Sequence, residues 1–460
     1  MFRKSKKMHF IGIGGIGMSG IAEILINLGY DVSGSDLRES EQTKRLSQMG
    51  ATIYIGHFSS NIHDYHVVVT SSAIPQNNPE IIEALNRRIP IIHRSEMLAE
   101  IVRLKHGIGV AGTHGKTTTS SLLAYVLVHG GFNPTSVIGG KVLNFGSNAQ
   151  VGEGEYIVFE ADESDGSFLK LLPTIGIVTN IDADHLDHYK YFEGLKDAFL
   201  TYMNNIPFYG YSVVCVDDHS IVELLPRLER PYVTYGLSSA ADFRAENLRV
   251  ENGEMGYTCY YRDEKLGEIH LKLLGEHNVV NSLSVVAVAM ELGLSFPVIA
   301  EGIADFKGVG RRLEHIGEIN GITVIDDYGH HPTEVRATIE ALKSLDRRLV
   351  IVFQPHRYSR TKLLSEEFGQ AFSMADVVML TEIYAAGEEP VEGVSSELVL
   401  DAIYRHDERE VEIISNFDDI PGKVASVARE GDIVLTLGAG DIYKAGPMIL
   451  ETLAGTYGNK

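Results

Sequence analysis

Lys116 stands in the segment Gly112-Thr113-His114-Gly115-Lys116-Thr117-Thr118, between the apolar run GIGVA and a helical stretch. A loop of this kind turns its backbone N–H groups to phosphates. Its lysine reaches the terminal phosphates and the hydroxyl after it reaches Mg²⁺. The position where a strict phosphate loop has its first glycine is Val110, so the pattern is a variant. Its strand-to-helix context argues against a chance glycine turn.

Two further apolar runs end in groups suited to a metal ion: Glu160 in VFEADESD, and Asp182, Asp184 and His185 in TNIDADHLD. In an open α/β sheet, ligands gather beyond the carboxyl ends of the strands, so these groups should face the phosphate loop. Mg²⁺ takes oxygen ligands and keeps waters, which suits a lone carboxylate better than a cage. Any one of these acids would serve equally well as a helix cap or solvated turn; Glu160 and His185 are the two taken as functional. His277, Asn278 and Asn281 open a later helix and lie one turn apart on one face, a spacing that by itself marks only a helix start. In GVGRRLE, Arg311 and Arg312 fall where the second block of the chain should end, within reach of phosphates held there.

Farther on, IDDYGHHPTEV and VFQPHRYSRTK each follow an apolar strand with dense His, Arg and Tyr. Arg357 and Arg360 offer a carboxylate clamp, because a guanidinium fork matches that geometry and stays charged. At the other end of the chain, Gly12, Gly14 and Gly17 fit G-x-G-x-x-G, and Asp36 follows at the distance of an acid that would bind the ribose of NAD. That reading gives an oxidoreductase. The same glycines serve any pyrophosphate, including that of a UDP-sugar.

The elements that must position these residues repeat one scheme. Short β-branched runs alternate with amphipathic segments, which signals parallel βαβ units. The fold class is α/β, in three blocks: 1–106, Rossmann-like; 107–311, a phosphate-loop domain with a parallel sheet plus a small antiparallel excursion between about Asp242 and Lys272; and 312–460, Rossmann-like, with five strands. A chain of 460 residues exceeds what one core usually supports. The charged cluster from Arg405 to Glu412 reads as solvated surface.

Composition sets the outer limits. With 44% hydrophobic and 22% charged residues the chain is globular. A net charge of -22 argues against a nonspecific nucleic-acid or anionic-membrane binder. Cys215 and Cys259 are too few for a disulfide framework or a zinc cluster, which fits a reducing cytosol. Arg3, Lys4, Lys6 and Lys7 ahead of Phe10–Ile16 briefly resemble a secretory leader, but the glycines interrupt it, and no run approaches the roughly 20 apolar residues of a membrane span.

Taken in order, GIGGIGMSG, GTHGKTTT, FEADESD, TNIDADHLDHY, HNVVNS, GVGRRLE, DDYGHHPTE and QPHRYSR resemble the Mur ligases, and among them the branch that adds L-alanine. The resemblance runs from about residue 8 to about residue 445. It implies a cytoplasmic, ATP-dependent amide-bond ligase that joins L-alanine to the carboxylate of UDP-N-acetylmuramate through an acyl phosphate, as a monomer or weak homodimer, with Mg²⁺ or Mn²⁺. Closure of the third domain would exclude water from the acyl phosphate. It implies contacts to the UDP-sugar from Gly14, Gly15, Ile16, Gly17, Asp36, Ser71, Ser72, His93 and Arg94. ATP contacts would come from the loop Gly112–Thr118 and from His277, Asn278, Asn281, Arg312 and Asp327. Lys116, Glu160 and His185 would be catalytic, Thr117, Glu160 and His185 metal-binding, and His330, His356, Arg357 and Arg360 would line the L-alanine pocket. The rival in the same class is a recycling ligase that attaches a tripeptide to the same sugar. Outside it stand the NAD-dependent oxidoreductase, which leaves GTHGKTTT unexplained, and a noncatalytic nucleotide-binding regulator, which needs no carboxylate clamp.

Overall fold

A computed structural model describes residues 7–406 and 411–457. The basic residues Arg3, Lys4 and Lys6, and the middle of the Arg405–Glu412 cluster, lie outside the described residues. At its edges, Arg405 pairs with Glu366 and Lys423 with Glu412, all four solvent-facing. The described residues form three sheets flanked by helices. None of the described helices is long and apolar enough to cross a membrane.

The first sheet has the order β3-β2-β1-β4-β5, with β1 Lys7–Ile11, β2 Asp31–Asp36, β3 Thr52–Ile55, β4 Val67–Thr70 and β5 Ile91–His93. All its pairings are parallel. The chain leaves β1 toward β2 and returns on the other side at β4, so the switch point lies between β1 and β4. The loop Gly12–Gly17 and the turn at Ser71-Ser72 therefore meet at one sheet edge.

The second sheet comprises β6 His106–Ala111, β7 Thr135–Val142, β8 Ser147–Gln150, β9 Tyr156–Glu160, β10 Ile175–Val178, β11 Tyr211–Cys215, β12 Tyr232–Gly236, β13 Phe243–Glu251, β14 Glu254–Tyr261 and β15 Glu264–Leu271. Its order is β15-β14-β13-β12-β11-β10-β6-β9-β7-β8. Strands β6, β9 and β10 are parallel neighbours, which sets the phosphate loop, Glu160 and the Thr179–Asp182 segment side by side. The expected antiparallel excursion is the meander β13 to β15. Its first turn is Asn252-Gly253, both at positive φ (54° and 79°), the conformation that lets two residues reverse a strand.

The third sheet runs β16-β17-β21-β18-β19-β20, with β16 Glu314–Ile319, β17 Ile322–Asp327, β18 Leu349–Phe353, β19 Val377–Thr381, β20 Val411–Ile414 and β21 Ile433–Leu437. Strands β17 to β21 are the five expected; β16 is a sixth, antiparallel to β17 across Asn320-Gly321 (φ 49° and 71°). Alternation along these strands divides the apolar residues between two cores. Leu349, Ile351 and Phe353 join Ile433, Leu435 and Leu437 on one face. Val350, Val352 and Val434 join Val324 on the other. With both faces apolar, helices must cover both, giving the doubly wound architecture.

The described chain forms two compact units. One runs through Glu246 and includes Thr258–Ile269 and Val280–Phe306; the other comprises Asn247–Tyr257, His270–Val279 and the chain from Lys307 onward. The first sheet and strands β6 to β12 of the second lie in the first unit, while β13, β14 and β15 are each divided between the two. Helix Ile16–Asn27 lies against β7 and β8, where Gly20 faces Ala149 and Asn148 donates to the Ile16 carbonyl at 2.7 Å.

Candidate active site

Val110 occupies the glycine position of a strict phosphate loop because it is still strand, in register with Ile177 and Glu160. The loop proper begins at Gly112, whose φ is 132° and where a Cβ would lie 2.0 Å from Thr179 Oγ1. Only glycine fits. Gly115, at φ 81°, caps the helix Lys116–His129, and Asn281 lies against it, 2.9 Å from where a Cβ would stand. The neighbouring strand end fixes the loop. The His114 N–H donates to Asn180 Oδ1 at 2.8 Å, the Thr179 hydroxyl to the His114 carbonyl at 2.6 Å, and the Asp182 N–H to Thr113 Oγ1 at 2.9 Å. The His114 ring meets Asp182 Oδ2 at 3.0 Å. Thr118 is buried.

The Lys116 ammonium donates to the Gly112 carbonyl (2.5 Å), the Thr113 carbonyl (3.1 Å) and both oxygens of Glu163 (3.0 and 2.9 Å). Burial acts to lower the Lys116 pKa, but Glu163 and Asp162 outweigh it and hold the ammonium above its usual range. Glu160 accepts from the Gly139 N–H at 2.6 Å, Thr117 at 3.2 Å and Ser120 at 3.3 Å, and burial pushes its carboxyl up. The proximity of Thr117 and Glu160 gives a hydroxyl and a carboxylate beside the phosphate loop, an oxygen set that fits Mg²⁺. His185, in a left-handed conformation (φ 56°), turns its Nε2 to Glu163, 3.8 Å away, and to Asp184 at 3.6 Å.

In the first sheet the Gly14 N–H donates to Asp36 Oδ2 at 2.9 Å. Asp36 thus staples the loop, and Ile16 opens a helix with no side-chain cap, its amides left for an anion. Ser71 and Ser72 form the turn after β4. His93 caps the helix Arg94–Val102 and meets Ser95 at 2.7 Å; burial lowers its pKa. Arg94 reaches Asp162 at 3.1 Å.

In the other unit, Arg311 is committed to structure: it bonds Asp326 and the Gly438 and Gly440 carbonyls, between the rings of Tyr328 and Tyr443. Arg312 lies over Tyr328 with Glu334 3.8 Å away. Buried Asp327 accepts from the Leu313 and Gly329 N–H groups at 2.9 and 2.8 Å, so it holds the turn after β17. Asn278 donates to the Leu274 carbonyl, and His277 stands beside it, solvent-facing, at the helix start.

His330 and His356 come together with ring centroids 5.5 Å apart, and His356 stacks on Tyr384 at 5.7 Å and 8°. Arg360 donates to His356 Nδ1 at 3.3 Å. Arg357, at φ 70°, donates its backbone N–H to the Tyr384 carbonyl at 2.8 Å. Burial drives His330 down to about 4 and His356 to about 3, helped at His356 by His330 and the arginines, so both rings are neutral at pH 7. Glu163, Asp162, Asn180 and Tyr384 escaped the sequence reading. The acidic run FEADESD pointed to the first two without saying which carboxylate turns inward.

Known proteins match along the whole chain. Family models match at residues 7–106 (Mur ligase family, catalytic domain), 110–289 (Mur ligase middle domain) and 311–440 (Mur ligase, glutamate ligase domain). The chain is 54% identical over 456 residues to the UDP-N-acetylmuramate–L-alanine ligase of Geobacter sulfurreducens, covering 98% of this chain and 99% of that one. The ligase of the same name from Trichlorobacter lovleyi is also 54% identical, with 98% and 100% covered. Among solved structures, the UDP-N-acetylmuramate-alanine ligase of Thermotoga maritima superposes with a TM-score of 0.84 at 30% identity over 98% of this chain and 99% of that one. A murein peptide ligase of Psychrobacter arcticus gives 0.73 at 26% identity over 97% and 98%. With the sheet order, the variant phosphate loop and the full-length identity in agreement, the chain belongs to the Mur ligase family.

Proposed function

We propose that this protein joins L-alanine to the lactyl carboxylate of UDP-N-acetylmuramate, converting ATP to ADP and phosphate, in the cytosolic stage of peptidoglycan precursor synthesis. The observation that carries the reading is the full-length 54% identity to ligases of that name, together with a phosphate loop whose lysine is already poised among carboxylates. The greater likeness to the alanine ligase than to the murein peptide ligase, 0.84 against 0.73 in TM-score, favours the free amino acid over a tripeptide. The full-length identity is to ligases, which sets aside the reading of Gly12, Gly14, Gly17 and Asp36 as an NAD site.

The three sheets take three tasks in this reading: residues 1–106 hold the UDP-sugar, 107–311 the ATP, and 312–460 the amino acid. The sugar's carboxylate attacks the γ-phosphorus, the bond to the bridging oxygen breaks, and ADP leaves. The amine of L-alanine then attacks the acyl phosphate carbon, phosphate departs and the amine loses a proton. Lys116 neutralises charge on the phosphoryl oxygens. Thr117 and Glu160, with His185 nearby, would hold Mg²⁺, which when bound neutralises phosphate charge. His330, His356, Arg357 and Arg360 receive the L-alanine, the guanidinium taking its carboxylate.

Measuring ADP release with each substrate withheld in turn tests this. Release should need both UDP-N-acetylmuramate and L-alanine. Release that accepts the tripeptide but not L-alanine would overturn it.

A further inference from the structure

Arg94 points two nitrogens of its guanidinium in two directions. Nη2 donates to Asp162 Oδ2 at 3.1 Å. Nη1 is the atom nearest Gly17, 2.9 Å from where a Cβ would stand, so a side chain at Gly17 would displace it. Gly17 lies in the first turn of helix Ile16–Asn27, whose opening amides have no capping side chain. Asp162 is oriented in turn by the Ser164 N–H, which donates to its Oδ1 at 3.1 Å. The next residue, Glu163, holds Lys116. One short segment after β9 thus grips the phosphate-loop lysine with one carboxylate and an arginine of the first sheet with the adjacent one.

The Arg94–Asp162 pair is half-buried, its side chains 26% and 38% exposed, and it is not alone in joining the two segments. The same helix is already tied to the same segment elsewhere, by Lys170 to Glu96 at 3.0 Å. A guanidinium has five N–H donors in a rigid fork, so one arm can be anchored while the other binds an anion.

We infer that Asp162 is a positioning residue for the sugar nucleotide, anchoring one arm of Arg94 so that the other faces the pyrophosphate at the start of helix Ile16–Asn27. This rests on the proposed reading of the first sheet as the UDP-sugar site. It deepens that reading by making a residue of the ATP-binding sheet part of sugar-nucleotide recognition. An unanchored arginine would keep its charge but lose its preorganisation, and sugar-nucleotide affinity should fall.

Calorimetric titration of the full chain with UDP-N-acetylmuramate, and separately with ADP, tests the inference in Arg94→Ala, Asp162→Asn and the double variant. Arg94→Ala should weaken sugar-nucleotide binding about tenfold to a hundredfold, the usual cost of a charge-assisted contact. Asp162→Asn should weaken it about threefold to tenfold, and the double variant should be no weaker than Arg94→Ala alone, because Asp162 acts through Arg94. ADP affinity should stay within about twofold in Arg94→Ala and should not fall in Asp162→Asn, which removes a negative charge beside Lys116. Arg94→Lys, which keeps the charge but not the fork, should resemble Asp162→Asn and provides the check if Asp162→Asn does not fold. Unchanged sugar-nucleotide affinity in Arg94→Ala would mean that the first sheet has been misread. A loss in Arg94→Ala that Asp162→Asn does not share, additive losses in the double variant, or an ADP affinity that falls in step with the sugar nucleotide would overturn the inference itself.

Discussion

Lys116 has four acceptors in place before any phosphate arrives, and three carboxylates, Glu160, Asp162 and Glu163, act on its charge. A γ-phosphate must draw the ammonium from Glu163, so the lysine trades one anion for another and little solvent reorganisation is needed. Lys116→Ala should therefore lower ADP formation by about a thousandfold or more, in line with loss of a preorganised charge in a dry site. UDP-N-acetylmuramate, held at the first sheet, should still bind. Near-normal turnover in the variant would remove this loop from the mechanism. At the other site, Arg360 can only donate, so the 3.3 Å contact requires a bare Nδ1 on His356, in keeping with its lowered pKa. Arg360→Ala should raise the KM for L-alanine about tenfold to a hundredfold, the cost of a lost charge-assisted bond of about 1.5–3 kcal/mol. The acyl phosphate, trapped by borohydride, should form as before. An unchanged L-alanine dependence with weaker ATP binding would assign the clamp to the wrong ligand. Lys116 and Glu160 were legible in the sequence because a glycine loop and a strand end flank them. Glu163 was not, since the side chains of FEADESD leave a strand and no longer alternate.

At the level of elements, several site residues sit just past the carboxyl ends of parallel strands: Gly112 after β6, Asp182 beyond β10, His330 after β17, His356 after β18. That placement was legible, because apolar runs broken by polar clusters mark strand ends in doubly wound sheets. The edge strand β16 was not, as EHIGEI is too polar to stand apart from the loop before it; only Asn320-Gly321 marks its hairpin with β17. His330 and His356, just beyond β17 and β18, are half-buried, which has a pH consequence. Their folded pKa values, about 4 and 3, lie below the ordinary 6.5. Above pH 6.5 neither state binds a proton, and the rings leave stability unchanged. As pH falls from 6.5 toward 4 the unfolded chain takes up protons that the folded chain refuses, so stability falls, by at most about 1.4 kcal/mol per pH unit for each ring. Buried carboxyls with raised pKa values, Asp326 and Asp327 among them, act in the opposite sense. The measurement is therefore a difference: thermal unfolding of the protein against His330→Gln/His356→Gln between pH 7.5 and 5. The wild-type melting temperature should drop more steeply, and parallel curves would show that the rings protonate freely in the fold.

For the molecule as a whole, a net charge of -22 has to be reconciled with two anionic substrates, ATP and a UDP-sugar. The reconciliation is local. Arg94, Lys116 and uncapped helix amides supply the donors beyond the strands of the first two sheets, set among Glu160, Asp162 and Glu163, whose charge a bound Mg²⁺ would offset. The order of motifs made the three sheets legible, but not that the first shares a unit with strands β6 to β12 of the second. That depends on Gly20 letting a helix approach β8, and on Arg94 reaching Asp162, contacts no periodicity encodes. A consequence can be tested by cutting the chain. The first compact unit ends at Phe306, and a protein stopped there keeps the Gly14 loop, Arg94, Asp162, Lys116, Glu160 and the helix carrying Asn281. It loses Arg312, Asp327, His330, His356 and Arg360. If sugar-nucleotide recognition is complete within that unit, the truncated chain should bind UDP-N-acetylmuramate within about fivefold of the full chain, less than about 1 kcal/mol, because no group facing the ligand has been removed. It should make no UDP-N-acetylmuramoyl-L-alanine at any L-alanine concentration, since the arginine clamp is gone. Calorimetry and product chromatography report the two halves. Product formed by the truncated chain would show that the third sheet does not hold the amino acid. A well-folded truncated chain without affinity for the UDP-sugar would show that the first two sheets do not complete its site.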